Sequence, residues 1–135
     1  MAELPDTWKA VLRDKPAIGV LATYQPDGVA HLSALWVDYD DERDVIHMNS
    51  ERPRRKVQNA ERDARGAILV MDPDNPYRWV SANGPIEVTE EGAREDVDRL
   101  AGKFMGVDEY PNPIQGARVI MRLDPETVRM YDPEG

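Results

Sequence analysis

Residues 17–24 and 29–39 are two apolar-rich runs separated by Gln25-Pro26-Asp27-Gly28, and this tetrad constrains the fold more than any other feature. Proline presets φ for a tight turn and glycine takes the left-handed position, so the two runs return on each other as an antiparallel hairpin. The first run, Ala17-Ile18-Gly19-Val20-Leu21-Ala22-Thr23-Tyr24, is nearly continuous and predicts a strand buried on both faces. The second alternates. A polar turn at residues 40–44 leads to a third strand over 45–49. Further strands are predicted over 66–71, 77–89 and 117–123, with 127–131 extending the last past Asp124-Pro125. Gly84-Pro85 marks a bulge or bend in the long fifth run. The short turns leave no room for parallel crossovers.

Three short helices punctuate these strands. Residues 6–14 form one, with Asp6 or Thr7 as cap, Trp8, Val11 and Leu12 on one face, and Pro16 beyond its end. Ser50 offers a cap to a second over 51–62, whose stripe is Val57, Ala60 and Ala64. Thr89-Glu90-Glu91 opens a third, with Ala93, Val97, Leu100, Ala101 and Phe104 facing inward. A loop follows over 105–116. The pattern predicts a mainly β (α+β) fold, a small antiparallel barrel with helices plugging its ends, in a single domain spanning residues 1–135.

Composition excludes several chemistries. The chain has no cysteine, which removes disulfides, thiolate nucleophiles and cysteine-ligated metals. A formal net charge of −9 disfavours nucleic acid and anionic membranes as partners. No apolar run approaches the ~18 residues of a membrane span. The start, Met1-Ala2-Glu3-Leu4-Pro5-Asp6, lacks a basic-then-apolar leader, so a cytoplasmic location is expected.

Against that acidity stands one positive island. Arg52, Arg54, Arg55, Lys56, Arg62 and Arg65 face only Glu61 and Asp63. Cations at a helix start oppose the helix dipole, and a bound phosphate would reverse that penalty by meeting free N–H groups, guanidinium forks and a lysine together. The competing reading is a solvated basic helix paired with acidic neighbours.

Phosphate-loop, dinucleotide and hydrolase motifs are absent. His31 and His47 fall on strands predicted to be adjacent, without a carboxylate placed beside them, and no metal site is assigned. Ser33 and Ser81 lack a His–Asp relay. No catalytic side chain is identified. A cofactor that carries the hard chemical step explains this silence, with Trp36, Tyr77 and Trp79 as candidates to flank a planar ring; core or interface packing is the alternative for each.

Gly19-Val20-Leu21-Ala22-Thr23, Pro26-Asp27-Gly28 and His31-Leu32-Ser33-Ala34-Leu35-Trp36-Val37-Asp38 together resemble the opening hairpin of the pyridoxamine-phosphate-oxidase-like split-barrel flavoproteins. Arg54-Arg55-Lys56-Val57-Gln58-Asn59 with Arg62-Asp63-Ala64-Arg65 is similar to their phosphate-binding helix. Residues 72–80, with Gly84, resemble the subgroup using the deazaflavin coenzyme F-420. The resemblance implies a six-stranded split barrel, a homodimer, and a cofactor at the subunit interface. It places phosphate contacts on Arg54 and Lys56 with Arg55 beside them. It places His31, Leu32, Ser33 and Ala34 along the ring system, and Met48, Asn49 and Ser50 where backbone meets cofactor. Tyr77 and Trp79 would reach in from the partner subunit. The implied activity is hydride transfer from reduced coenzyme F-420 to a small electron-poor organic acceptor, a later proton coming from water, His31 or Tyr77. The alternatives are an FMN-binding oxidase or reductase, and a non-catalytic flavin- or haem-type binder. Gln58 and Ala64 stand where this family commonly has Arg and Pro, and the C-terminal residues typical of true pyridoxamine-phosphate oxidases are not visible.

Overall fold

The computed structural model describes residues 3–133; Met1 and Ala2, part of the segment read for a leader, lie outside the described residues. In chain order the elements are α1 (Asp6–Asp14), β1 (Ile18–Tyr24), β2 (Ala30–Trp36), β3 (Asp38–Asp40), β4 (Val45–Glu51), α2 (Arg55–Arg62), β5 (Arg65–Asp72), β6 (Asn75–Thr89), α3 (Ala93–Met105), β7 (Arg118–Leu123) and β8 (Thr127–Tyr131).

The expected hairpin forms in register from Ile18↔Trp36 to Tyr24↔Ala30. Gly28 sits at φ 84°, and Asp27 locks the turn by accepting the Val29 N–H at 2.9 Å. The second predicted strand, 29–39, is interrupted at one residue. Val37 lies between β2 and β3, donating its N–H to the Ala17 carbonyl at 3.0 Å. That interruption moves the strand from one sheet to the other: β2 pairs with β1, and β3 pairs with β4.

The hydrogen-bonded order is β2-β1-β5-β6-β7-β4-β3, every pairing antiparallel. Because β2 continues into β3, the order closes on itself. Counting β2 and β3 as one bent strand gives a six-stranded antiparallel barrel, with β8 as a seventh strand on β6. β6 makes the other crossing. It pairs with β5 and β8 up to Gly84-Pro85 and with β7 from Ile86 onward. The bend read from Gly84-Pro85 is where β6 passes between the two halves of the barrel.

The interior is filled by Leu21, Val37, Ile46, Met48, Ile68, Val70, Val80, Met121 and Leu123, and is closed by Trp8, Val11 and Leu12 of α1 and Val57 of α2. Burying aliphatic side chains of this size stabilises by about 1.5–3 kcal/mol each. α3 lies against β4 and β7 and buries Ala93, Val97, Leu100 and Ala101.

Helix boundaries differ from expectation. Ser50 is not a cap; it is a buried residue of β4, which keeps pairing with β7 as far as Glu51↔Arg118. A turn closed by the Arg54 N–H on the Glu51 carbonyl follows, and α2 begins at Arg55 with Arg54 as its cap residue. α1 is capped by neither Asp6 nor Thr7 but starts from Pro5. α3 starts from left-handed Gly92, while Thr89 accepts the Glu91 N–H instead of capping the helix. No helix among the described residues is long and apolar enough to cross a membrane.

Candidate functional site

The structure divides the positive island in two. Arg52 is bound by Glu61 and Glu90. Arg62 donates to the Tyr24 carbonyl and to Asn59. Arg65 grips Asp63 and lies over the Tyr24 ring. These three behave as the competing reading expected. Arg54 does so only through a long pair to Glu51, and Arg55 and Lys56 do not. Among the described residues, the Arg55 side chain hydrogen-bonds to Gln25 alone, at 3.5 Å. Arg54 stands 3.6 Å from the buried Glu51. Lys56 has no ion pair among the described residues.

These three cations line a cleft with two lobes, both containing Arg54 and Lys56. One lobe, about 260 Å³, lies between the free edge of β2 (Ala34, Leu35, Trp36) and Asn49 and Ser50 of β4. Its other walls are Val97, Tyr110, Asn112 and Arg118. The second, about 500 Å³, is lined by His31, Leu32, Ser33, Pro53, Arg55 and Gln58. Together they are of the size that holds a cofactor.

The cleft concentrates positive charge. Burial is the main cause that lowers the Lys56 ammonium below its ordinary pKa, with Arg54 and Arg118 adding repulsion. Burial likewise lowers Arg118, despite nearby Glu51 and Tyr110. Four cations crowded partly out of water around the single carboxylate of Glu51 would be stabilised by an entering phosphate. The first turn of α2 contains no acidic residue and has no side-chain cap, and the Arg55 and Lys56 N–H groups have no acceptor among the described residues. Two buried polar atoms in the second lobe, Ser33 Oγ and His31 Nδ1, are also without a partner. Excess positive charge, N–H groups and buried polar atoms without partners among the described residues, all around one space, fit a phosphate-bearing planar cofactor.

The first lobe has an aromatic wall. Trp36 stacks on Phe104 with centroids 4.8 Å apart, Tyr110 meets it edge-on at 6.2 Å, and Arg118 lies 5.0 Å from the Tyr110 ring. Trp36 therefore reaches the cleft, already stacked on its neighbour.

The sequence model of the pyridoxamine 5'-phosphate oxidase family matches residues 4–132. The chain belongs to this family. Among solved structures, an F420 reductase is 28% identical, with a TM-score of 0.79, over 93% of this chain and 98% of its own. A conserved hypothetical protein from Mycobacterium tuberculosis is 25% identical, with a TM-score of 0.72, over 98% of this chain and 86% of its own. A pyridoxamine 5'-phosphate oxidase-related, FMN-binding protein from Nostoc punctiforme shares the fold at 14% identity, with a TM-score of 0.70, over 100% of this chain and 88% of its own.

In this pyridoxamine 5'-phosphate oxidase family member, the residues expected at the cofactor divide between three places. Arg54 and Lys56 line both lobes, Ala34, Asn49 and Ser50 the first, and His31, Leu32, Ser33 and Arg55 the second. Met48 does not reach the cleft with its side chain, which is fully buried in the core. Tyr77 and Trp79 line neither lobe; they stand on the outer face of the β6 sheet, Trp79 stacked with Tyr131.

The bent strand that carries His31 does neighbour β4, but through β3, which sets Asp38 and not His31 opposite His47; His31 lies on β2, opposite Thr23 of β1. His47 does have a carboxylate beside it: Asp96 Oδ2 is 2.8 Å from its Nε2. No group of three or more residues suited to hold a metal occurs among the described residues. Sequence reasoning missed Arg118 and Asp96. Arg118 sits 62 positions after Lys56 at the start of an otherwise apolar strand segment, Arg118-Val119-Ile120-Met121, so nothing local marked it. Asp96 was hidden as an ordinary acidic residue in the first turn of a helix.

Proposed function

We propose that the protein is an oxidoreductase that binds coenzyme F-420 through its phosphate and passes hydride to a small electron-poor organic acceptor. The observation that carries the reading is the uncompensated, half-buried Lys56, with Arg54 and Arg118 beside it and no carboxylate neutralising it. Lys56, Arg54, Arg55 and Arg118 would hold the phosphate. Ser33 Oγ and His31 Nδ1 would satisfy polar atoms of the ring system. Bound there, a reduced deazaflavin supplies hydride chemistry that the side chains do not. The choice of deazaflavin is supported by the likeness to the F420 reductase over nearly the whole of both chains. FMN offers the same phosphate and a similar ring, and is the second reading.

We also propose a homodimer. The outer face of β2, β1, β5 and β6 presents Ile18, Leu32, Leu69, Met71 and Tyr77, all exposed, with Leu32 at 65% and Tyr77 at 75%. An apolar face spread over four strands is what a second copy would cover. Tyr77 and Trp79, remote from the cleft of their own subunit, would then be available to that of the partner.

The test is equilibrium binding of coenzyme F-420 and of FMN to the purified protein, followed by turnover with quinones and enones under each cofactor. Tighter binding of F-420 with hydride transfer is expected. Preference for FMN would move the protein to the second reading. Tight binding with no turnover over the panel would make it a flavin carrier.

A further inference from the structure

Arg118 reaches the cleft from β7 and is held there by a chain of contacts that starts on α3. The chain runs through one amide. Asn49 has two N–H groups and one oxygen. Its Nδ2 donates to the Ala93 carbonyl at 3.0 Å and to Asp96 Oδ2 at 2.9 Å. Both donors are thereby used, and both acceptors are on α3. The oxygen is left facing the other way, where it accepts Arg118 Nε at 2.9 Å.

The amide has no acceptable alternative orientation. Turned over, it would set its oxygen against a carboxylate and a carbonyl, and its NH2 against a guanidinium. Asp96 is itself fixed, taking His47 Nε2 at 2.8 Å on one oxygen and Arg99 at 2.9 Å on the other. Arg118, by contrast, spends only Nε on this lock. It forms no ion pair within 4.0 Å among the described residues, and its guanidinium lines the cleft against Tyr110, within reach of an anion there.

We propose that Asp96 is a positioning residue: by fixing the Asn49 amide it aims Arg118 at the anion in the cleft. The proposal rests on the reading of the cleft as a phosphate site and adds a residue that does not line it.

The test is a double-mutant cycle on binding. FMN is followed by its own fluorescence and inorganic phosphate by calorimetry, with Arg118→Met, Asp96→Ala, Asp96→Asn, Lys56→Ala and the Asp96→Ala/Arg118→Met pair. Each of Arg118→Met and Asp96→Ala is expected to weaken both ligands about tenfold, the loss of one charge-assisted contact. The pair is expected to bind no worse than Arg118→Met alone. Asp96→Asn, which retains an oxygen for the Asn49 amide, is expected to bind as the parent does. Losses that add in the pair, or an Asp96→Ala protein that binds normally, overturn the proposal. Lys56→Ala separates the two levels. If it leaves both ligands unaffected, the phosphate reading itself fails; if it alone weakens them, only the positioning role fails. Should Asp96→Ala not fold, the parent protein gives the answer by proton–nitrogen NMR. The Arg118 Nε–H signal, identified by its loss in Arg118→Met, is expected to be protected from solvent exchange and to shift on adding phosphate; rapid exchange overturns the proposal.

Discussion

A Cβ placed on Gly84 would lie 1.9 Å from the carbonyl oxygen of Asp124. The two backbones meet at the bend of β6, where Asp124 donates its N–H to Pro85 and Glu126 donates its N–H to Asn83. Neither partner is a flexible side chain that could move aside. Gly84→Ala is therefore expected to destabilise the fold by about 3 kcal/mol, read as a lower urea midpoint. Gly102 supplies the contrast: it lies inside α3, and its added Cβ would meet only ordinary contact at 3.5 Å. Gly102→Ala is expected to stabilise by about 0.5–1 kcal/mol.

Lys56 should weaken the ligand-free fold while serving binding. Its pKa is lowered on folding from 10.5, so near that pH the unfolded chain holds the proton more tightly than the folded one. Stability of the ligand-free protein is expected to rise as pH climbs through the folded-state value towards 10.5. Lys56→Met should flatten that rise, raise the melting temperature at neutral pH, and weaken phosphate binding. Melting curves across the alkaline range with and without phosphate check all three.

Asp96 works in the opposite direction at the acid end. Burial would raise its carboxyl, but His47, Asn49 and Arg99 outweigh burial and hold it below its ordinary 3.8. A lowered carboxyl contributes stability that is complete above its unfolded value and lost as pH falls through the folded one. Melting temperature is expected to drop as pH falls below 3.8, more steeply in the parent than in Asp96→Asn. Equal slopes for the two would show that Asp96 is not one of the groups responsible.

Charge on the apolar outer face should separate subunits without unfolding them. Leu69 is 39% exposed on β5, opposite Val20 and Ser81. Leu69→Glu is expected to halve the mass seen by sedimentation and leave the circular dichroism of the strands unchanged.

Strand positions were legible because their limits are written in local chemistry. Pro26-Asp27-Gly28 fixed the first hairpin, and Gly84-Pro85 marked the passage of β6 between sheets. The start of α2 was misplaced because Ser50 matches a cap in isolation, whereas pairing with β7 holds it in a strand. Pro53 carried the missing signal, since the residue before a proline avoids helical geometry and a helix over 51–62 would require Arg52 to adopt it. The cationic cleft was half legible. Arg54, Arg55 and Lys56 stand together in the sequence, but whether a cation is free depends on distant carboxylates, and only the fold reveals that Glu61 and Glu90 claim Arg52. The link from Asp96 through Asn49 to Arg118 joins three elements far apart in the chain and leaves no periodic trace.

β6 belongs to both halves of the barrel, and this limits how the molecule can breathe. A protein whose sheets joined only through loops could open one half while the other stayed closed. Here the same backbone supplies ladder hydrogen bonds to β5 and β8 before Gly84 and to β7 after Pro85. Amide protons on the two sides of that point should exchange with deuterium at a common free energy, that of global unfolding, with no partial opening of lower cost between them.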